Sequence, residues 1–202
     1  MSRVAPVQER RRVLSALCGG LLLPLAGAGW SQPPTPAQRD DRARQWFTDT
    51  SLEDQDGKRH LFYSGLIEPR AVLINAVFVG CTSACPLLTQ HLASVRDGLG
   101  DRFGRDIWFL SITVDPLNDG PKELKRFAQR QGVDVPGWRF LTGTPAEVQT
   151  VTQRLGLWVK DPEAHQTGLI AGHARSGRWS KLRPDSSPQA LVQQLGRFVG
   201  AS

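Results

Sequence analysis

Two cysteines four residues apart, Cys81 and Cys85, are the residues whose type and spacing most directly promise chemistry. A thiolate is both a nucleophile and a soft metal ligand. On a helix, positions i and i+4 share a face, so the two sulfurs could close a disulfide or hold one metal ion between them. The flanking residues say how such a pair would be presented. Residues 72–79 are mostly apolar and partly β-branched, and the run stops at Gly80, as a buried strand does. After Pro86, residues 87–99 read as a helix, with Leu88, Leu92, Val95 and Leu99 recurring at helical spacing. A strand that delivers a thiol to a helix start places it among free N–H groups and at the positive end of the dipole. Both favour thiolate over thiol.

The rest of the chain must position that pair. At 202 residues, 40% hydrophobic and 22% charged, it has room for one ordinary domain and a tail. The formal charge of +6 is divided: residues 1–28 carry +3, which leaves +3 for the remainder and no lysine- or arginine-rich block interleaved with aromatics. Nucleic acid is therefore not expected as a partner. Residues 1–28 read as an export signal. A basic cluster at Arg10-Arg11-Arg12 opens onto an apolar, glycine-rich stretch, and Ala26-Gly27-Ala28 has the small-x-small form of a cleavage site. The paired arginines resemble a twin-arginine signal, and the general secretory route also fits. The alternative is an uncleaved membrane anchor over residues 13–30, at the short limit for a span. Cys18 falls inside this stretch and leaves with it. Cys81 and Cys85 then stand alone in an oxidising compartment, where a crosslink over three intervening residues would constrain the unfolded chain little. That favours chemistry over stapling.

Residues 29–46 are expected to be a linker, Pro-rich at residues 31–37, and the domain to run over residues 47–202. Residues 47–62 suggest a β-hairpin turning at Asp56-Gly57. Residues 106–114 form a second apolar strand, and after Asp115-Pro116 and Asp119-Gly120-Pro121 a helix runs to about Gln131. Phe140-Leu141 closes a third strand. Thr144-Pro145-Ala146-Glu147 is a capping box, with Gly156 as the stop. Residues 168–171 and 178–181 make two short strands around Gly177, and Ser187-Pro188 opens a helix through Val199. Strands alternating with helices indicate an α/β fold with a mixed sheet.

Gly80-Cys81-Thr82-Ser83-Ala84-Cys85-Pro86 after a buried strand, Val114-Asp115-Pro116 followed by Asp119, Phe140-Leu141-Thr142-Gly143, and a late His165-Gln166-Thr167 occur in that order. Over roughly residues 48–199 the chain resembles the SCO/SenC family of exported, copper-binding, thioredoxin-like proteins. The resemblance implies a thioredoxin-like mixed sheet flanked by helices, with an N-terminal β-hairpin. It also implies one copper ion, Cu(I) or Cu(II), on Cys81, Cys85 and His165, and thiolates with an imidazole suit both states. It points to a copper metallochaperone for the binuclear copper centre of cytochrome c oxidase. The alternative is a thiol–disulfide oxidoreductase that uses Cys81 and Cys85 as a redox pair to reduce the cysteines of the target site. Partners would be the copper-bearing oxidase subunit or another cuproenzyme, and a periplasmic thiol reductant. The protein would act as a monomer in the periplasm, free or tethered to the inner membrane.

The other histidines fit less well. His91, six residues after Cys85, points away round the helix; His60 ends a hairpin strand and is expected to be solvated; the strand after His165 carries His173 up to roughly 25 Å away. Asp115 and Asp119 read first as turn and cap residues, then as part of a docking surface. Against the family pattern, the loop over residues 160–164 is short and the strand after it holds two glycines. Thr82-Ser83-Ala84-Cys85 echoes a thiol peroxidase, but Phe78 stands where those enzymes have proline. A structural zinc site would want a fourth ligand.

Overall fold

A computed structural model describes residues 35–165 and 167–199. The elements run α1 (Pro36–Phe47), β1 (Ser51–Asp54), β2 (Arg59–Leu61), β3 (Ala71–Val77), α2 (Ala84–Leu99), β4 (Ile107–Thr113), α3 (Pro121–Arg130), β5 (Trp138–Thr142), α4 (Pro145–Leu155), β6 (Leu169–His173), β7 (Arg178–Leu182) and α5 (Pro188–Val199). The export signal expected over residues 1–28, with Cys18, lies outside the described residues.

The strands form one sheet in the order β2-β1-β5-β4-β3-β6-β7, with β3–β4 and β4–β5 parallel and the other pairs antiparallel. β3 reads as an unbroken apolar run because both of its faces are covered. Leu73 and Val77 pack with α2, α3 and α5; Val72 and Ile74 pack with α1 and α4. This is the expected thioredoxin-like mixed sheet, with β1 and β2 as the N-terminal hairpin.

The stretch expected to be a linker is helical from residue 36. Thr35 and Gln38 form a reciprocal capping box around Pro36 at the first helical position, where a missing N–H costs nothing. The helix itself has little apolar periodicity and is held from outside. Phe47 is buried, and the Tyr63 hydroxyl donates to Asp40. The second helix likewise starts earlier than residue 87, at Ala84, with Cys85 and Pro86 in its first turn.

The hairpin corrects one assignment. His60, expected to be solvated, is half-buried, and its Nε2 lies 2.7 Å from Asp54 Oδ2. The β1–β2 register sets Leu52 opposite His60 and so brings the ring to the Asp54 side chain. Burial pushes the Asp54 carboxyl up, but the hydrogen bonds from His60 and from the N–H groups of Lys58 and Asp56 outweigh it. The net displacement is down from 3.8. A depressed carboxylate contributes stability that is complete above its unfolded pKa and lost as pH falls through the folded one. The stability difference between wild type and Asp54→Asn is therefore expected at pH 7 and should shrink as pH falls below 3.8 through the lowered folded pKa. Urea midpoints across that range check it.

One of the two glycines noted near His165 has a packing reason. A Cβ on Gly172 would lie 2.3 Å from the indole of Trp179, its neighbour across the β6–β7 pair. The absent side chain lets that indole lie flat over β6 and reach Phe47, with ring centroids 4.4 Å apart.

Candidate metal centre

After β3 the backbone turns through Phe78, Val79 and Gly80. The Cys81 N–H donates to the Phe78 carbonyl at 3.2 Å. Asp119, almost fully buried, fixes this turn from the neighbouring loop. Its Oδ2 accepts from the Val79 N–H at 3.0 Å and from the Thr113 hydroxyl at 2.7 Å. Burial pushes its carboxyl up, beyond what those two bonds restore. Asp115 behaves as the turn residue expected, accepting from the Asn118 side chain. Asp119 does more than cap a turn, and no local sequence signal marks its burial.

The two cysteines do not share a helix face. Cys81 lies three residues ahead of α2, and its Sγ accepts from the Cys85 N–H at 3.3 Å, standing where a helix-capping oxygen would. Cys85 lies inside the first turn and is 3% exposed. Their thiols are driven apart. Burial pushes Cys81 up, but the N–H groups of Cys85, Ser83 and Ala84 and the Cys85 thiol outweigh it, leaving its pKa lowered. For Cys85 burial dominates, the neighbouring Cys81 and Asp119 add to it, and its pKa is pushed up to about 12. Iodoacetamide at neutral pH is therefore expected to label Cys81 at least about 100-fold faster than Cys85, since each pKa unit is tenfold in thiolate fraction. Peptide mass mapping of the reduced, folded protein checks this; equal rates would sink the assignment.

His165 arrives on the loop between α4 and β6, just after a 3-10 turn, Pro162–Ala164, which Asp161 caps through the Glu163 N–H. Its backbone N–H and its Nδ1 both meet the Pro162 carbonyl, at 3.2 and 2.7 Å. That contact assigns the proton to Nδ1 and leaves the Nε2 lone pair free. Nε2 lies 3.1 Å from Cys85 Sγ, and the ring stands edge-on to Phe78 with centroids 5.2 Å apart. The Cys81 Sγ, Cys85 Sγ and His165 donor atoms all lie within 4.8 Å of one another. Donors about 2.0–2.3 Å from one ion stand at most about 4.6 Å apart, so sub-ångström adjustment would let the three share a metal. Two sulfurs and one oriented imidazole nitrogen are a soft set that suits copper.

The remaining histidines are placed elsewhere. His173 pairs with Ala71 at the start of β3, about 20 Å down the strand from the cysteine turn. His91 meets the Ser186 carbonyl at 2.9 Å through Nε2, and His60 is held by Asp54.

Residues 41–176 match the family model described as SCO1/SenC. The SCO1 protein homolog of Bacillus subtilis (strain 168) is 32% identical over 133 residues. That stretch is 65% of this chain and 64% of the relative, so the chain spans just under two thirds of the relative's length. Among solved structures, Bradyrhizobium japonicum ScoI with copper bound is 24% identical at a TM-score of 0.63, over 74% of this chain and 96% of that one. Yeast Sco1 with copper bound is 22% identical at 0.62, over 76% and 91%. BsSco, described as a member of the Sco family of cytochrome c oxidase assembly proteins, is 24% identical at 0.65, over 77% and 94%. At these identities the structural likeness speaks for the fold.

Proposed function

The chain belongs to the SCO1/SenC family, and from that premise we propose that it carries copper as cargo for assembly of a copper enzyme. The observation that carries the reading is the convergence of Cys81 and Cys85, at the β3–α2 junction, with His165, on the loop before β6, to within 4.8 Å. In this reading the buried Cys85 anchors the ion and the more accessible Cys81 is the sulfur an acceptor can displace. The Pro162 carbonyl keeps the His165 Nε2 turned towards both sulfurs. Thiolates select Cu(I), and the imidazole widens the site to Cu(II). The named functions of the relatives suggest the recipient: the copper-bearing subunit of cytochrome c oxidase, or another cuproenzyme. The setting we propose is the periplasm, reached through residues 1–28 as signal or anchor, with the protein working as a monomer.

The split between the two thiols favours a second reading, reduction of the recipient's own cysteines. The Cys81 thiolate would attack a target disulfide to form a mixed disulfide and release one target thiol. Cys85 would then displace the second, leaving Cys81 and Cys85 oxidised for a periplasmic thiol reductant to recycle. An anaerobic Cu(I) titration of the reduced protein against a competing chelator, beside His165→Ala, separates the readings. Cargo binding predicts one ion per chain, weakened about 10–100-fold in the variant, on the scale of other changes around a metal site. Affinity no better than that of a flexible dithiol peptide, unchanged in His165→Ala, would leave only the reductase.

A further inference from the structure

The seven-stranded sheet ends at β7, whose outer edge pairs with no strand among the described residues. The other edge, β2, is only three residues long. Side chains alternate along β7, so Trp179 and Lys181 face the α1–α4 side, and Ser180 and Leu182 face α5. Each side has a recess. On the first, a cavity of about 740 Å³ is walled by Trp46, Phe47, Leu155 and Trp179 and rimmed by Arg42, Arg154 and Lys181. On the second, a hollow of about 350 Å³ lies between β7 and α5. Trp46 stays 57% exposed at the mouth of the larger cavity, with the Arg154 guanidinium 5.9 Å from its ring.

We propose that the β7 edge and the Trp46–Trp179 cavity form a docking site for an extended acidic segment of another protein, which adds to the sheet as a further strand. Main-chain hydrogen bonds to β7 would supply affinity, and the two recesses would take alternate side chains of the segment. The sign of the charge follows from the rim. Arg42, Arg154 and Lys181 are exposed and have no carboxylate partner among the described residues, whereas Arg44, Arg59, Lys125 and Arg183 each have one. Two other occupants are disfavoured by charge. A second copy paired edge to edge would set Arg178 and Lys181 against the same cations, and this chain's residues 1–28 carry +3. The cavity lies on the face of the sheet opposite α2, so a segment seated there leaves the cysteine pair accessible.

The test uses the full chain and a labelled synthetic octapeptide alternating glutamate with phenylalanine and valine, beside the same peptide with lysine for glutamate. Anisotropy reads binding, and hydrogen exchange reads the β7 amides. The acidic peptide is expected to bind at least tenfold tighter than the basic one and to slow exchange at the outward-facing amides of β7. Arg154→Glu/Lys181→Glu, changed at two solvent-exposed positions, should lose at least tenfold for the acidic peptide and gain for the basic one. Equal binding of the two peptides, binding without added β7 protection, or binding of phosphatidylglycerol vesicles in place of the peptide would each overturn the proposal.

Discussion

Cys85→Ser is expected to abolish tight Cu(I) binding, lowering affinity by more than about 100-fold, beyond the range that changes around a metal's outer shell produce. The reason is specific to this sulfur. Cys85 is almost fully buried, 3.1 Å from His165 Nε2, and its own N–H donates to Cys81 Sγ. It therefore touches both other donors. A serine hydroxyl is hard, does not ionise near neutral pH and sits on a shorter bond, so the ion would keep one thiolate and an imidazole. The fold should tolerate the change, because the hydroxyl can donate to the same Nε2 and the backbone cap on Cys81 is kept. Chelator competition with matched thermal melts checks both halves. A variant within tenfold of wild type would place the copper site elsewhere.

Asp119→Ala should produce the largest loss of stability among single changes near the centre. It strips the acceptor from the half-buried Val79 N–H and the fully buried Thr113 hydroxyl together. Each stranded donor costs about 1–3 kcal/mol, so the sum for the two is about 2–6 kcal/mol. At about 2–4 °C per kcal/mol for a domain of this size, the melting temperature should fall by roughly 4–24 °C. Asp119→Asn, which keeps an acceptor oxygen, should lose less than half as much. Because Val79 is two residues from Cys81, copper affinity should fall with stability in the alanine variant. A melting shift under 2 °C would show that Asp119 is not what holds the turn.

The parts of this architecture that local chemistry dictates were legible from residue order. The β3 run, the Thr144 capping box and the glycine after α4 all act within a few residues, and each is found where expected. The meeting of His165 with the cysteines is another matter, since 80 residues separate it from Cys85. No spacing rule reaches so far, and only the resemblance pointed to it. Helix α1 was missed because its stability comes from Phe47 and the Asp40–Tyr63 contact, tertiary partners that a prolyl, charged segment does not advertise. A π-helical stretch at Phe62–Ile67 escaped for the same reason, being shaped by four buried apolar side chains. His60 and Asp54 show the converse error. Polar residues in a hairpin suggest solvent, and the register instead turned them towards each other.

β6 joins the sheet between β3 and β7, although in chain order it follows β3 by some ninety residues. Synthesis delivers the chain from its N-terminus, so both thiols are present well before the strand that brings the imidazole. Until β6 pairs with β3, Cys81 and Cys85 are a mobile dithiol, open to oxidation and to any thiophilic metal. Closure of the third position is a long-range, late-forming contact of the kind that slows folding. An ion held by all three residues binds only the closed form, and therefore stabilises the β3–β6 pairing by mass action. Copper binding would thus double as a maturation step, in which the ion helps to lock the last central strand of the protein that holds it.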